Sequence, residues 1–195
     1  IRDSKKQYVP YPKGRSLDQK SKEDVKTLIN GTPIKRDLLI EYLHLIQDKY
    51  RCIKKSHLAA LSDIMKIPFA EAFEVASFYA HFDVLDDNDP TPPEITIRMC
   101  DSLTCELKGS DSLLKDLQKK YHNSDKVRVL RAPCMGLCDV APACEVGHNH
   151  IKNCSMESIE NAIKKKDTHP QIIDGISIDK YMKNGGYQIL KKCYQ

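Results

Sequence analysis

Four cysteines stand in two close pairs in the second half of the 195-residue sequence. Cys100 and Cys105 enclose four residues, and Cys134 and Cys138 enclose three. Each pair follows a short apolar run of the kind that forms a β-strand. If the two strands are neighbours in one sheet, their loops leave the same edge and four thiolates meet there. Because thiolates are soft ligands that suit Zn²⁺, Cu(I) and iron–sulfur clusters, the spacing predicts a four-cysteine metal site.

The loop lengths indicate which metal group would be bound. A single zinc ion usually takes cysteine pairs separated by two residues, in a tight turn. Wider loops favour a 2Fe–2S cluster, because each of its two irons needs two cysteine ligands. Gly136 would allow the backbone to approach the sulfurs closely. Apolar residues that could screen the site from water are Leu103, Met135, Leu137 and Val140. Unliganded buried cysteines or a disulfide are the alternative.

Composition limits the class of protein. Hydrophobic residues make up 41% of the sequence and charged residues 30%, which is typical of a globular protein. No apolar run reaches the ~20 residues that cross a bilayer, so no direct membrane insertion is expected. The net charge of +4 comes from scattered lysines, which does not favour nucleic-acid binding. Eight cysteines, four of them in tight pairs, favour metal binding in a reducing compartment, and a cytoplasmic location is expected.

The elements that would position the cysteines divide the chain into segments. The fold class expected is α+β, with an N-terminal helical bundle followed by a thioredoxin-like mixed sheet. Helical periodicity predicts four helices in the bundle, the fourth running from Pro68 to about Phe82. The order after the linker is β-α-β, cysteine loop, β-β-α. The predicted segments are 1–20 tail, 21–85 helical bundle, 86–93 linker, 94–166 thioredoxin-like domain and 167–195 C-terminal extension.

Several other residues could carry chemistry, but each has a structural interpretation. The isolated cysteines Cys52, Cys154 and Cys193 are interpreted as structural or incidental. Cys144, close after the second pair, could touch the surroundings of the metal site, although a small buried apolar residue is the favoured interpretation. His148 and His150 could bind a metal together with Cys154, although a polar turn is the favoured interpretation.

The aromatic residues near the end of the fourth helix also have two interpretations. Phe78, Tyr79 and Phe82 could form a docking stripe, although helical spacing favours core packing. His81 could carry protons, yet the sequence shows no paired acid or base beside it.

The cysteine motifs and one helical motif resemble a known family. Residues 75–82 (VASFYAHF), the Cys100-x4-Cys105 pair and residues 132–138 (APCMGLC) are similar to the thioredoxin-like 2Fe–2S subunit of respiratory complex I. Equivalent subunits occur in NAD-dependent formate dehydrogenases and NAD-reducing hydrogenases. The resemblance covers about residues 24–165. By this match the cluster ligands are Cys100, Cys105, Cys134 and Cys138.

The resemblance implies electron transfer beside a flavoprotein. FMN and NAD(H) would be bound by the partner subunit, since this chain has no G-x-G-x-x-G fingerprint, and further iron–sulfur subunits would follow. The chain would not be catalytic alone, and the sequence leaves a homodimer open. The 28-residue gap between the pairs and the segment 179–187 are similar to the formate dehydrogenase branch. A zinc-stapled or metal-free adaptor without redox function is the alternative.

Overall fold

The first half of the chain is helical because its apolar residues recur at helical spacing. A computed structural model describes residues 17–170 and 175–195, so most of the predicted tail lies outside the described residues. Asp18 caps the first helix by accepting a hydrogen bond from the Ser21 N–H at 2.8 Å. The helices are α1 (Gln19–Leu28), α2 (Leu39–Tyr50), α3 (Lys55–Met65) and α4 (Phe69–Phe78), with a 3₁₀ turn at Arg36–Leu38 before α2.

Buried apolar side chains from all four helices form one core. Its fully buried members include Val25, Tyr42, Leu43, Ile46, Leu58 and Leu61. After α4 the chain returns to this bundle, because β2 (Val84–Leu85) pairs in parallel with β1 (Ile53–Lys54). The fourth helix is shorter than the sequence predicts. It ends at Phe78, and Tyr79 is already extended at φ −89°, ψ 125°.

The second half builds a four-stranded mixed sheet. Its elements are β3 (Ile95–Cys100), α5 (Leu103–Leu107), α6 (Ser110–Tyr121), β4 (Val127–Ala132), β5 (Cys144–Val146), β6 (Asn149–Ile151) and α7 (Met156–Lys165). The strand order is β4-β3-β5-β6. Strands β3 and β4 are parallel, whereas β5 is antiparallel to both β3 and β6. This mixed helix and sheet arrangement confirms the predicted α+β, thioredoxin-like fold class.

The two faces of the sheet differ because side chains alternate along β3. Ile97 and Met99 point to one face, where they join a core with residues of α6 and α7 such as Leu117 and Ile159. The opposite face is polar. There the Arg98 guanidinium donates to the His81 backbone oxygen at 3.0 Å, and Arg128 donates to the Asp83 carboxylate at 3.1 Å. Arginine side chains therefore connect the sheet to the segment that follows α4.

The remaining described residues form two short helices, α8 (Ile178–Lys183) and α9 (Gln188–Cys193). Ser177 caps α8 by accepting a hydrogen bond from the Lys180 N–H at 3.3 Å. Residues 171–174, within the predicted C-terminal extension, lie outside the described residues. None of the helices in the described part of the chain is long and apolar enough to cross a membrane. The division into the predicted segments remains a prediction.

Candidate metal centre

The parallel pairing of β3 and β4 brings both cysteine loops to one edge of the sheet. The register places Cys100, the last residue of β3, opposite Ala132, the last residue of β4. Cys134 lies two residues after the end of β4, at the same edge of the sheet where β3 ends at Cys100. On the other side of β3, the residue before β5 reaches the same edge, since the Cys100 N–H donates to the Ala143 oxygen at 3.2 Å. This is the neighbouring-strand geometry that the sequence predicts.

The first cysteine pair is buried. Cys100 is 1% exposed and Cys105, on the short helix α5, is 2% exposed. Both pack against Ala143, with Leu137 and Ala141 at the edge of the same cluster. Burial is the main cause that raises the pKa of the Cys105 thiol, because the apolar surroundings disfavour the thiolate. A bound cation would reverse that preference.

The second pair is exposed and lies in a loop that ends in a 3₁₀ turn, Cys138–Val140. The sulfurs of Cys134 and Cys138 are 3.6 Å apart. The Gly136 N–H donates to the Cys134 sulfur at 3.4 Å, and this hydrogen bond is the main cause that lowers the pKa of Cys134. Gly136 has φ +75°, which side chains other than glycine rarely adopt, and no atom would meet a Cβ there within 4 Å. The requirement for glycine at this position therefore comes from the backbone conformation and not from lack of space.

The spacing of the two sulfurs in the exposed pair fits two thiolates on one metal ion. Two thiolates on one tetrahedral ion, with metal–sulfur bonds of about 2.3 Å, lie about 3.8 Å apart. The Cys134–Cys138 distance matches that value. Four thiolates that meet at one edge are the donor set that a 2Fe–2S cluster takes, with two cysteines for each iron.

The residues predicted to screen the site differ in burial. Met135, Leu137 and Val140 are half-buried, but Leu103 is 71% exposed and does not screen it. A cleft of about 220 Å³ opens beside Cys134, and Tyr79, Pro133 and Met135 line it. The buried pair thus lies on the inner side of the candidate centre and the exposed pair on its outer side.

Among the other four cysteines, Cys144 adjoins this edge, since it is paired with Met99, the residue before Cys100. Cys144 and Cys154 are buried in the sheet core, and Cys52 is buried in the helical half. A hydrogen bond with Cys154 raises the pKa of Cys144, and burial adds to the effect. The Cys154 sulfur lies 4.0 Å from the sulfur of Met99. Cys193 is exposed on α9.

The aromatic residues after α4 depart from the predicted packing. Phe82 is buried, but Phe78 is 80% exposed and Tyr79 is 41% exposed. Core packing was therefore the wrong interpretation for Phe78. Its ring and that of Tyr79 are in edge contact, with centroids 5.1 Å apart. They form an exposed aromatic surface, and Tyr79 also lines the cleft beside Cys134.

His81 has the acidic and basic neighbours that the sequence did not reveal. Its ring lies 5.4 Å from the ring of His148, and the His148 Nε2 atom lies 3.1 Å from the Asp48 carboxylate. Burial is the main cause that lowers the pKa of His81 to about 4, and the positive charge of Arg98 adds to it. Residues from three distant segments meet here, which no local motif could have indicated.

The cluster of His148, His150 and Cys154 considered from the sequence is not formed. Among the described residues, one trio of metal-ligating side chains has its ligand atoms within 4.8 Å of one another. Its members are Asp48, His81 and His148. His150 is exposed and Cys154 is buried in the sheet core.

Comparison with known proteins defines the class of this chain. Residues 25–167 match the family described as "Thioredoxin-like [2Fe-2S] ferredoxin". The chain belongs to this family, which confirms the predicted 2Fe–2S cofactor. It is 30% identical to a subunit of the NADH-quinone oxidoreductase of Aquifex aeolicus, with 67% of this chain and 85% of the relative covered. It is 24% identical to the corresponding subunit in Rickettsia bellii, with 77% and 93% covered.

Solved structures show the same fold. The NAD⁺-reducing [NiFe]-hydrogenase in its air-oxidized state matches with a TM-score of 0.51 and 23% identity. The match covers 67% of this chain but only 23% of the hydrogenase chain. At this identity the likeness shows the fold alone. Together the family and the relatives identify the chain as a 2Fe–2S electron-transfer module similar to this component of the NADH-quinone oxidoreductase.

Proposed function

We propose that Cys100, Cys105, Cys134 and Cys138 are the ligands of the 2Fe–2S cluster. The observation that carries this assignment is the convergence of both cysteine loops at the shared edge of β3 and β4. The 3.6 Å separation of the Cys134 and Cys138 sulfurs supports it, because two thiolates of one metal ion need that spacing. When bound, the cluster takes up and releases one electron at a time.

The protein surroundings would set how the cluster behaves. The Gly136 N–H points at the Cys134 sulfur, and hydrogen bonds of this kind to sulfur raise the potential of iron–sulfur centres. The buried pair excludes water from the inner side. The exposed pair and the cleft beside it leave the outer side open for a partner protein.

The partner we propose is a flavoprotein subunit that binds FMN and NAD(H), with further iron–sulfur subunits beyond it. The relatives are named as subunits of an NADH-quinone oxidoreductase, which oxidises NADH within a complex. The exposed rings of Phe78 and Tyr79 lie next to the cleft at Cys134 and offer an apolar contact for such a subunit. The complex is proposed to be cytoplasmic.

The type of complex is a finer proposal. The 28-residue gap between the cysteine pairs and the segment 179–187 favour an NAD-dependent formate dehydrogenase type over the quinone-reducing type. Copurification of the tagged chain with its native partners would separate the two. A complex that reduces NAD⁺ with formate supports the finer proposal, and one that oxidises NADH with quinone but ignores formate contradicts it.

The cluster assignment is tested on protein purified without oxygen. Visible absorption, iron, acid-labile sulfide and zinc are measured on the same sample. A brown protein with equal iron and sulfide, bleached by a strong reductant, is the expected result. A colourless protein with one zinc per chain would instead support a zinc-stapled adaptor. A folded protein that binds neither metal and cannot be reconstituted with iron and sulfide would leave only an assembly module.

A further inference from the structure

A second group of metal-ligating side chains lies between the helical half and the sheet. Asp48 is on α2, His81 follows α4, and His148 is in the turn between β5 and β6. Each of the three offers one ligand atom, and these atoms lie within 4.8 Å of one another. Two imidazoles and one carboxylate at this spacing can coordinate one ion, because a metal ion holds its ligand atoms about 3–4 Å apart.

His81 has a polar atom that the protein leaves unpaired. Its Nε2 atom is buried and has no hydrogen-bond partner among the described residues. A buried nitrogen without a partner costs free energy that a bond to a metal ion would recover. The neighbouring rings do not supply that partner. They contact His81 as tilted aromatic pairs, with centroids 4.9 Å away at His44 and 5.4 Å away at His148.

The backbone holds His148 in place on the sheet side. The Gly147 N–H donates to the Thr96 oxygen at 3.0 Å, and the His148 N–H donates to the Thr168 oxygen at 2.8 Å. A Cβ at Gly147 would lie only 2.7 Å from the Thr168 side chain, so the turn packs directly against that residue. The position of the His148 backbone is therefore fixed before any ion binds, which reduces the entropy cost of binding.

The space beside the three side chains can admit an ion. They line one cleft of about 320 Å³. His148 is 41% exposed and Asp48 is 51% exposed at the side chain, so the cleft is open to solvent on that side. Water could therefore complete the coordination sphere, as it does where a site has three protein ligands.

Three arginines line the same cleft, Arg51, Arg98 and Arg128, and their positive charge opposes a cation. Two of them are engaged by carboxylates. Arg98 forms an ion pair with Glu145 at 3.4 Å, and Arg128 forms one with Asp83. The Asp48 carboxylate adds a negative charge within the trio itself. A divalent ion would therefore be retained by direct bonds from the three ligands and not by the overall charge of the cleft.

We propose that Asp48, His81 and His148 form a second metal site, separate from the cysteine centre, for a divalent transition-metal ion of the zinc type. Imidazole and carboxylate ligands suit Zn²⁺ among such ions. The ion would connect α2 and the segment after α4 to the β5–β6 turn. Its role would be to stabilise the contact between the helical half and the sheet.

The test is Zn²⁺ binding to the cluster-loaded full chain after removal of loosely held metal with a chelator. Equilibrium dialysis compares wild type, His148→Ala, Asp48→Asn and the control His150→Ala, which removes an exposed imidazole from the same hairpin. All are made with Cys193→Ser, since that exposed thiol could bind Zn²⁺. Wild type and His150→Ala are expected to bind one ion. His148→Ala and Asp48→Asn are expected to bind at least ~10-fold more weakly.

Two further measurements show whether the bound ion lies at the proposed site or at cysteine thiolates. Co²⁺ bound to imidazole and carboxylate lacks the intense sulfur-to-metal absorption of Co²⁺ bound to thiolates, so its spectrum shows which site is filled. Zn²⁺ should also raise the thermal unfolding midpoint of wild type and His150→Ala, but not that of His148→Ala. Equal Zn²⁺ affinity in wild type and His148→Ala, thiolate-type Co²⁺ spectra only, or no binding by wild type would each overturn the proposal.

Discussion

The two cysteine pairs lie at one edge of the sheet but in opposite surroundings. Cys100 and Cys105 are almost fully buried. Cys100 is the last residue of β3, and Cys105 lies on the short helix α5. Cys134 and Cys138 are exposed, in a loop shaped by Gly136. A cluster bound by both pairs, as we propose, would be embedded in the protein on one side and open on the other. The inner pair belongs to the folded core, and the outer pair is where electrons would enter or leave.

The largest effect is expected at the inner pair. Cys100→Ser should abolish cluster binding and also lower the free energy of unfolding of the metal-free protein by about 1–3 kcal/mol, because a hydroxyl is placed in a buried apolar setting. Urea unfolding of the metal-free variant measures the second effect. If its stability equals that of metal-free wild type, the inner pair does not belong to the core as described.

Substitution at the outer pair should separate cluster binding from folding. Cys138→Ser should lose the cluster, because one iron would lack a thiolate. The stability of the metal-free protein should stay nearly unchanged, since the side chain is exposed. Urea unfolding of metal-free Cys138→Ser and metal-free Cys100→Ser under the same conditions compares their free energies of unfolding directly. A similar destabilisation in both variants would remove the distinction between the two pairs.

A smaller effect is expected from the glycine that shapes the outer loop. Gly136→Ala should destabilise the protein by ~1 kcal/mol through its positive φ alone, because nothing would clash with the added methyl group. Gly109→Ala is the matched control. Gly109 has φ +90°, also with no atom within 4 Å of a Cβ, but it precedes α6, away from the outer loop. Iron content and thermal unfolding of both variants are the measurements.

The two glycine variants should differ in how tightly the cluster is held. Only Gly136→Ala should speed the loss of iron to a chelator, because its N–H donates to the Cys134 sulfur. Equal rates of iron loss in the two variants would show that the conformation of the Gly136 loop does not affect how tightly the cluster is held.

The smallest effect is a difference in thiol reactivity with pH. The pKa of Cys134 is lowered by the Gly136 N–H, whereas the pKa of Cys105 is raised by burial. A lowered pKa leaves more thiolate at a given pH, so Cys134 in the metal-free protein should be alkylated at pH values below the ordinary thiol range. Cys105 should stay protected there. Mass spectrometry of iodoacetamide-treated protein from pH 6 to 9 would show the order, and preferential labelling of Cys105 would contradict it.

The meeting of the two cysteine loops at one sheet edge could be predicted from the sequence because the information is local. Two cysteine pairs behind two β-like runs require only that the strands be neighbours, and β3 and β4 are. The trio of Asp48, His81 and His148 could not be predicted in this way. Its members come from a helix, a connecting segment and a hairpin turn, and only the packing of the helical half on the sheet brings them together.

The aromatic residues after α4 show a second limit of pattern-based prediction. Helical spacing indicates that residues share a face, but it does not show whether another element covers that face. Phe78 is left uncovered at 80% exposure, whereas Phe82, beyond the end of the helix, is buried. Phe78 contacts Tyr79, which lines the cleft beside Cys134, so the two exposed rings belong to the proposed docking surface.

The most direct test of the central claim compares one proposed ligand with one buried bystander. Wild type, Cys134→Ser and Cys154→Ser are purified without oxygen, reduced, and examined by electron paramagnetic resonance together with iron and sulfide analysis. Wild type and Cys154→Ser should show the same one-electron signal with equal iron and sulfide, and Cys134→Ser should have lost both. An intact signal in Cys134→Ser, or equal loss in both variants, would contradict the assignment of the four ligands.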